Sequence, residues 1–241
     1  MFTLQILIAF PEQIDSIKAD LTKYYPDIKS SHRVEALARA LGFKTYAALR
    51  AADLFWDGPI HAKIDWDAFS NYLVQKGFNP TAKPLYLAVG RSAIRLILSE
   101  YPNLTYEGAG INTEHHKGET TQEYVARFRK AREDMLLDSS VEEFLRAYSV
   151  VSRISGTRTI TKKRGAYGLK HIAEKAKIVY PDGEVSPPSY VCTGSLIFAA
   201  MNSGFYYKEI EGSQSVYFNM LQKSIEELDR EIRPDKWRNV A

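Results

Sequence analysis

Apolar positions along this chain recur mostly at intervals of three and four, the spacing of one buried helical face. Ile14, Ile17 and Leu21 follow Pro11, a residue suited to the first helical position, and predict a helix up to Tyr25-Pro26. Val34, Leu37, Ala38 and Leu41 predict a second, with Ser30-Ser31 as N-cap and Gly42 as its stop. Thr45 is placed to cap a third, from Tyr46 to about Leu54. Ahead of these, residues 2–10 alternate loosely and fit either a strand or an early helical turn. His61–Trp66 alternates as a short strand. Asp65 or Asp67 then caps a helix to Lys76-Gly77 with Phe69, Leu73 and Tyr72 inward.

Beyond the break at Pro80–Pro84, Leu87, Ile94, Leu98 and Tyr101 predict a long central helix over 85–101. Residues 102–121 show no period and read as a loop. Thr120 and Glu123 have the spacing of a capping box, opening a helix to Leu137 with Tyr124, Phe128, Ala131 and Met135 as its apolar stripe. Arg127, Arg129, Lys130 and Arg132 fall on its other faces. Ser139 or Ser140 caps a further helix, 141–151. The remainder reads as a short helix from Tyr167, a connector over 181–189, an apolar segment over 190–204 and two β-prone runs, 205–210 and 215–218. An acidic helix over 223–232, stopped by Pro234, closes the pattern.

These elements make a mainly α protein with small β-elements. A helical module spans 1–80. A second helical domain spans 81–241, and its last part has the order helix, connector, helix, β-hairpin of a winged helix. Its second helix is almost wholly apolar, however, and Arg and Lys are absent from 190–207. A helix that reads bases exposes such side chains. The segment is therefore expected to be a core helix, with sequence-specific DNA reading as the alternative.

Charge changes this picture locally. The whole chain carries 32 basic and 29 acidic residues, too even a balance to imply a nucleic-acid partner. Between Arg153 and Lys170, however, stand Arg153, Arg158, Lys162, Lys163, Arg164 and Lys170 with no acid among them. Such a loop is a candidate surface for phosphates or an acidic partner. The alternatives are a solvated linker, or a loop docked on the acidic C-terminal helix of the same chain.

Other chemistry finds less support. His115, His116 and Glu119 are the only cluster of metal-ligating types, set among glycines and without a second His or Cys cluster to complete a site. They are weak candidates for a metal, and a polar loop is the competing account. Elbow, dinucleotide and phosphate-loop motifs are missing, so no catalytic residue and no cofactor is expected. Cys192, the single cysteine, sits beside apolar residues and is expected to be buried and inert. No apolar run is long enough to span a membrane, and a cytoplasmic protein is expected. The tyrosines of the hairpin, Tyr206, Tyr207 and Tyr217, suggest base stacking, with core or interface packing as the alternative.

Residues 28–50, IKSSHRVEALARALGFKTYAALR, resemble a helical module of uncharacterised bacterial proteins, many borne on plasmids and integrative elements. Tyr167-Gly-Leu-Lys-His171 and Ser195-Leu-Ile-Phe-Ala-Ala200 are similar to segments of proteins from the same elements. The resemblance implies service to a mobile element, either in its maintenance and transfer or in countering host defence, including an anti-CRISPR role. The expected function is non-catalytic binding that modulates or inhibits a protein or ribonucleoprotein complex, with nucleic acid engaged through the basic loop. A DNA-binding regulator and a metal-dependent enzyme are the alternatives.

Overall fold

The structure, a computed structural model, describes residues 2–52, 58–112 and 118–237. It is mainly helical with small two-stranded sheets, and it divides into two compact units. The first comprises residues 1–96 with 179–186, and the second 97–178 with 187–241.

In the first unit, β1 (Gln5–Ile8) pairs antiparallel with β2 (Ile60–Lys63), Gln5 opposite Lys63 and Ile8 opposite Ile60. Between them lie α1 (Pro11–Tyr24), α2 (Ser30–Ala40) and α3 (Tyr46–Ala51), and after them α4 (Trp66–Gln75) and the start of α5 (Ala82–Glu100). Ile14, Ile17, Leu21, Leu37, Phe69, Leu73 and Leu85 are buried between these elements. Local chemistry sets the ends. The Thr45 hydroxyl accepts from the Ala48 N–H at 3.1 Å, and the Asp65 carboxylate from the Ala68 N–H at 2.9 Å. Gly42 has φ +88°, which lets Phe43 N–H return to the Ala38 carbonyl at 2.8 Å and close α2. The Gly77-Phe78 pair closes α4 in the same way.

The second unit holds a hairpin, β3 (Leu104–Thr105) with β4 (Gly108–Ala109), and then α6 (Thr121–Glu133), which runs through a 3-10 turn (Asp134–Leu136) towards α7 (Asp138–Val151). After the basic loop come α8 (Ala166–Ala173), then β5 (Ile178–Val179) and β6 (Val185–Ser186), whose residues 179–186 belong to the first unit, and then α9 (Thr193–Asn202) back in the second. The hairpin β7 (Tyr207–Glu209) with β8 (Val216–Phe218), α10 (Gln222–Ile232) and α11 (Pro234–Trp237) complete the chain. The core of this unit is α7 against α9, where Val141, Phe144 and Leu145 meet Leu196, Ile197 and Phe198, all 0% exposed. The order helix, connector, helix, hairpin is thus present, and its second helix is buried.

Several boundaries differ from the sequence pattern. Lys29, not a serine, precedes α2, and no side chain caps that helix. Helix α3 ends at Ala51, and the expected continuation to Leu54 falls outside the described residues. Helix α5 begins at Ala82, ahead of the expected Leu85, because Pro84 occupies its first turn, where a missing N–H is not needed. Helix α7 begins at Asp138, which puts Ser139 and Ser140 inside its first turn. The stripe of α6 is only half buried: Ala131 and Met135 reach the core, but Tyr124 is 37% exposed. Its ring stacks on Phe128, centroids 6.3 Å apart. Periodicity told which residues share a face, but not how far along the helix a neighbour covers it.

Candidate functional site

The hairpin β7–β8 forms a wing, and the basic loop lies along its free side. Gly156 bridges Met220 and Gly165 bridges Tyr217. Between those points Thr157 N–H donates to the Asn219 carbonyl at 2.7 Å and Thr161 N–H to the Phe218 carbonyl at 3.0 Å. The Asn219 side chain donates back to the Thr157 carbonyl at 2.9 Å. The loop therefore runs as an irregular third strand beside β8, its backbone tied to the wing at Thr157 and Thr161.

Its six cations divide into two sets. Arg153 pairs with Glu231 of α10 at 2.5 Å. Arg164 pairs at 3.1 Å with Asp229, a carboxylate with no exposed surface that also meets Arg233 at 2.5 Å and Lys236 at 3.3 Å. Burial raises the Asp229 pKa, but Arg233 and Arg164 outweigh it and hold the group down at about 2. Lys170 is 5% exposed; its ammonium donates to Glu174 at 2.8 Å and to the Val191 carbonyl at 3.2 Å, and lies 4.5 Å from the Tyr190 ring centroid. Arg158, Lys162 and Lys163 form the other set. They are exposed and have no partner among the described residues. Arg153 and Arg164 tie the loop to α10, Lys170 is committed to Glu174 and Val191, and the second set faces solvent.

The wing adds side chains to this surface. Val216 and Phe218 point inward, 0% and 1% exposed, so the residues alternating with them point out. Tyr217 is half-buried there, opposite exposed Lys208. Tyr206, outside β7, is 73% exposed. Tyr207 packs on Tyr101, centroids 6.1 Å apart.

The remaining candidates are placed as follows. Glu119 accepts two bonds from the Arg127 guanidinium, at 2.9 and 2.8 Å, which commits its carboxylate to an ion pair. His115 and His116 lie outside the described residues. Among the described residues, no three His, Cys, Asp or Glu side chains lie together as a metal site would require. Cys192 is 2% exposed; its sulfur caps α9 by accepting the Ser195 N–H at 3.1 Å. Burial, and then the nearby Glu143 carboxylate, push its thiol pKa well above the ordinary value. Among the described residues no helix is long and apolar enough to cross a membrane.

Two shallow clefts lie in the first unit. One, of about 320 Å³, is lined by Phe2, Trp66 and Tyr86 together with Lys63, Asp65 and Asp67. The other, of about 240 Å³, lies between α1 and α2 and contains Lys18 paired with Asp15 at 2.9 Å. Neither gathers the convergent polar groups of a catalytic site. No family model, curated protein or solved structure matches the chain.

Proposed function

We propose that this is a macromolecule-binding protein that docks an acidic partner, a protein or ribonucleoprotein complex, on the wing. The observation that carries the reading is the unpartnered set Arg158, Lys162 and Lys163 on a loop whose backbone is fixed to β8. A loop backbone already held in place loses little conformational freedom when a polyanion arrives, so less of the charge contribution is offset by ordering. A regulator that reads duplex DNA through its second helix would need that helix exposed, whereas Leu196–Ala200 of α9 are 0% exposed. Service to a mobile element, with modulation or inhibition of a host complex, is the biological setting we propose from the resemblance of residues 28–50, 167–171 and 195–200.

The test is retention of the protein on immobilised heparin, a generic polyanion. Replacing Arg158, Lys162 and Lys163 together by alanine should lower the eluting salt concentration clearly, because each lost cation removes released counterions. Elution at unchanged salt would refute the reading. The same variant should also lose any partner retained from a bacterial lysate, with nuclease treatment separating protein from nucleic-acid capture.

A further inference from the structure

Resting on the reading of the wing as a binding face, the side chains beside its cations narrow the partner. Outward positions of the hairpin alternate ring and charge: Tyr206, then Lys208, with Tyr217 opposite Lys208. Along the other side of β8 runs the loop, with Arg158 next to Thr157, which bonds Asn219, and Lys162 and Lys163 between Thr161 and Gly165. Tyr167, just past the loop, donates its N–H to the Ser215 hydroxyl at 3.1 Å and is 59% exposed.

Tyr206 and Tyr167 thus bond the two residues that flank β8, Asn219 and Ser215, a stretch about 13 Å long. The cations are distributed between them. The backbone of Tyr206 and the ring of Tyr167 are held. The Tyr206 N–H donates to the Asn219 side chain at 2.7 Å. The Tyr167 ring has the Lys170 ammonium 5.3 Å from its centroid and His171 edge-on at 4.8 Å. Of the acids of the hairpin, Glu209 is bonded by the Asn103 side chain and Glu211 sits in the turn beyond the last paired residues.

Exposed rings interleaved with unpartnered cations on a β-surface match single strands, whose bases are free to stack while their phosphates follow the charge. A duplex hides its base faces and would use the cations alone. An acidic protein would likewise leave both rings without a role.

We propose that the wing binds single-stranded nucleic acid, with Tyr206 and Tyr167 stacking on bases and Arg158, Lys162, Lys163 and Lys208 contacting phosphates. Fluorescence anisotropy with four probes tests this: a labelled single strand, the same sequence as a duplex, an abasic strand of equal length, and heparin. The single strand should bind more tightly than the abasic strand and the duplex. Tyr206→Ala should weaken single-strand binding about tenfold, the effect of losing one stacking platform, while leaving heparin and the abasic strand unchanged. Its exposed position makes a folding defect a poor explanation, and an unchanged circular dichroism spectrum would remove it.

Equal affinity for the intact and abasic strands, or a silent Tyr206→Ala, would overturn the stacking proposal. In that case continued loss of heparin binding in the triple alanine variant would leave the wing itself standing. Nuclease-resistant capture of an acidic protein, with no oligonucleotide bound, would also overturn it. Heparin binding that ignores the triple substitution would remove the wing reading and the proposal together.

Discussion

Arg164 donates to the buried Asp229 carboxylate across 3.1 Å, and that bond ties the basic loop to α10. Asp229 is surrounded by Arg164, Arg233 and Lys236, so losing its charge leaves three cations facing one another. Asp229→Asn should destabilise the protein by about 2 kcal/mol near neutral pH, the linkage value of a carboxyl drawn well below its ordinary pKa. The sign follows from the shift. A depressed pKa gives stability that is present above the unfolded value of 3.8 and is lost as pH falls towards about 2. Urea midpoints of the native protein and the variant should therefore converge over that interval and stay apart above it.

Gly194 lies where α9 enters against the β3–β4 hairpin, its N–H donating to the Tyr106 carbonyl at 3.0 Å. A Cβ there would overlap the Thr105 and Tyr106 backbone oxygens, which cannot rotate away. Gly194→Ala should lower stability by about 3 kcal/mol or more, read as a fall in the unfolding midpoint. Alanine at exposed Gly183 would be a poor comparison, since its φ of +89° adds strain of its own. Ser189→Ala, in the exposed connector, should shift the midpoint by less than about 0.5 kcal/mol.

Arg132 closes the C-terminus of α5. Its guanidinium donates to the carbonyls of Leu98, Tyr101, Pro102 and Leu104, at 2.5 to 3.0 Å. These include carbonyls that the helix leaves without partners, and burial pushes the Arg132 pKa down with no carboxylate in compensation. Lysine keeps the charge but not the fork, so Arg132→Lys should destabilise by about 1–2 kcal/mol. Arg129→Lys, on an exposed position of α6, should be neutral in the same thermal melt.

The Cys192 thiol should resist a disulfide reagent at mildly alkaline pH in the native state and react quickly in denaturant. Burial and a raised pKa both suppress the thiolate. Rapid native labelling would contradict the packing at the start of α9. Cys192→Ser should retain the fold, because a hydroxyl can accept the Ser195 N–H that the sulfur now accepts.

What the sequence showed and what it hid follow the reach of each interaction. Thr45, Asp65 and the Thr120–Glu123 capping box act within three residues, so their types and spacing announce them. Gly42 and Gly204 stop helices for equally local reasons. The partner of residues 5–8 lies at residues 60–63, and nothing in either segment points to the other. The two-residue strands β3 to β6 are too short for any alternation to register. At the wing, the run of cations was plain. Its division into loop-fixing and solvent-facing members depends on where α10 places Asp229 and Glu231, a tertiary fact. The inward burial of the apolar helix was legible because a segment without charge has little reason to face water. Exposure of Tyr206 against partial burial of Tyr207 hinged on a strand register that two adjacent tyrosines do not reveal.

The segment 179–186 joins the first unit although residues 97–178, which precede it, belong to the second. It supplies Tyr180, whose ring stands edge-on to Phe2 and Tyr86 at 6.1 and 5.7 Å, and Asp182, which accepts the Ala82 N–H at 2.6 Å at the start of α5. On the ribosome, the N-terminal unit must therefore wait, with an aromatic corner of its core unfilled, until residue 186 has been made. A fragment ending at residue 96 would carry that unfilled corner permanently, so dissection of the chain should graft 179–186 back on before either half is asked to stand alone.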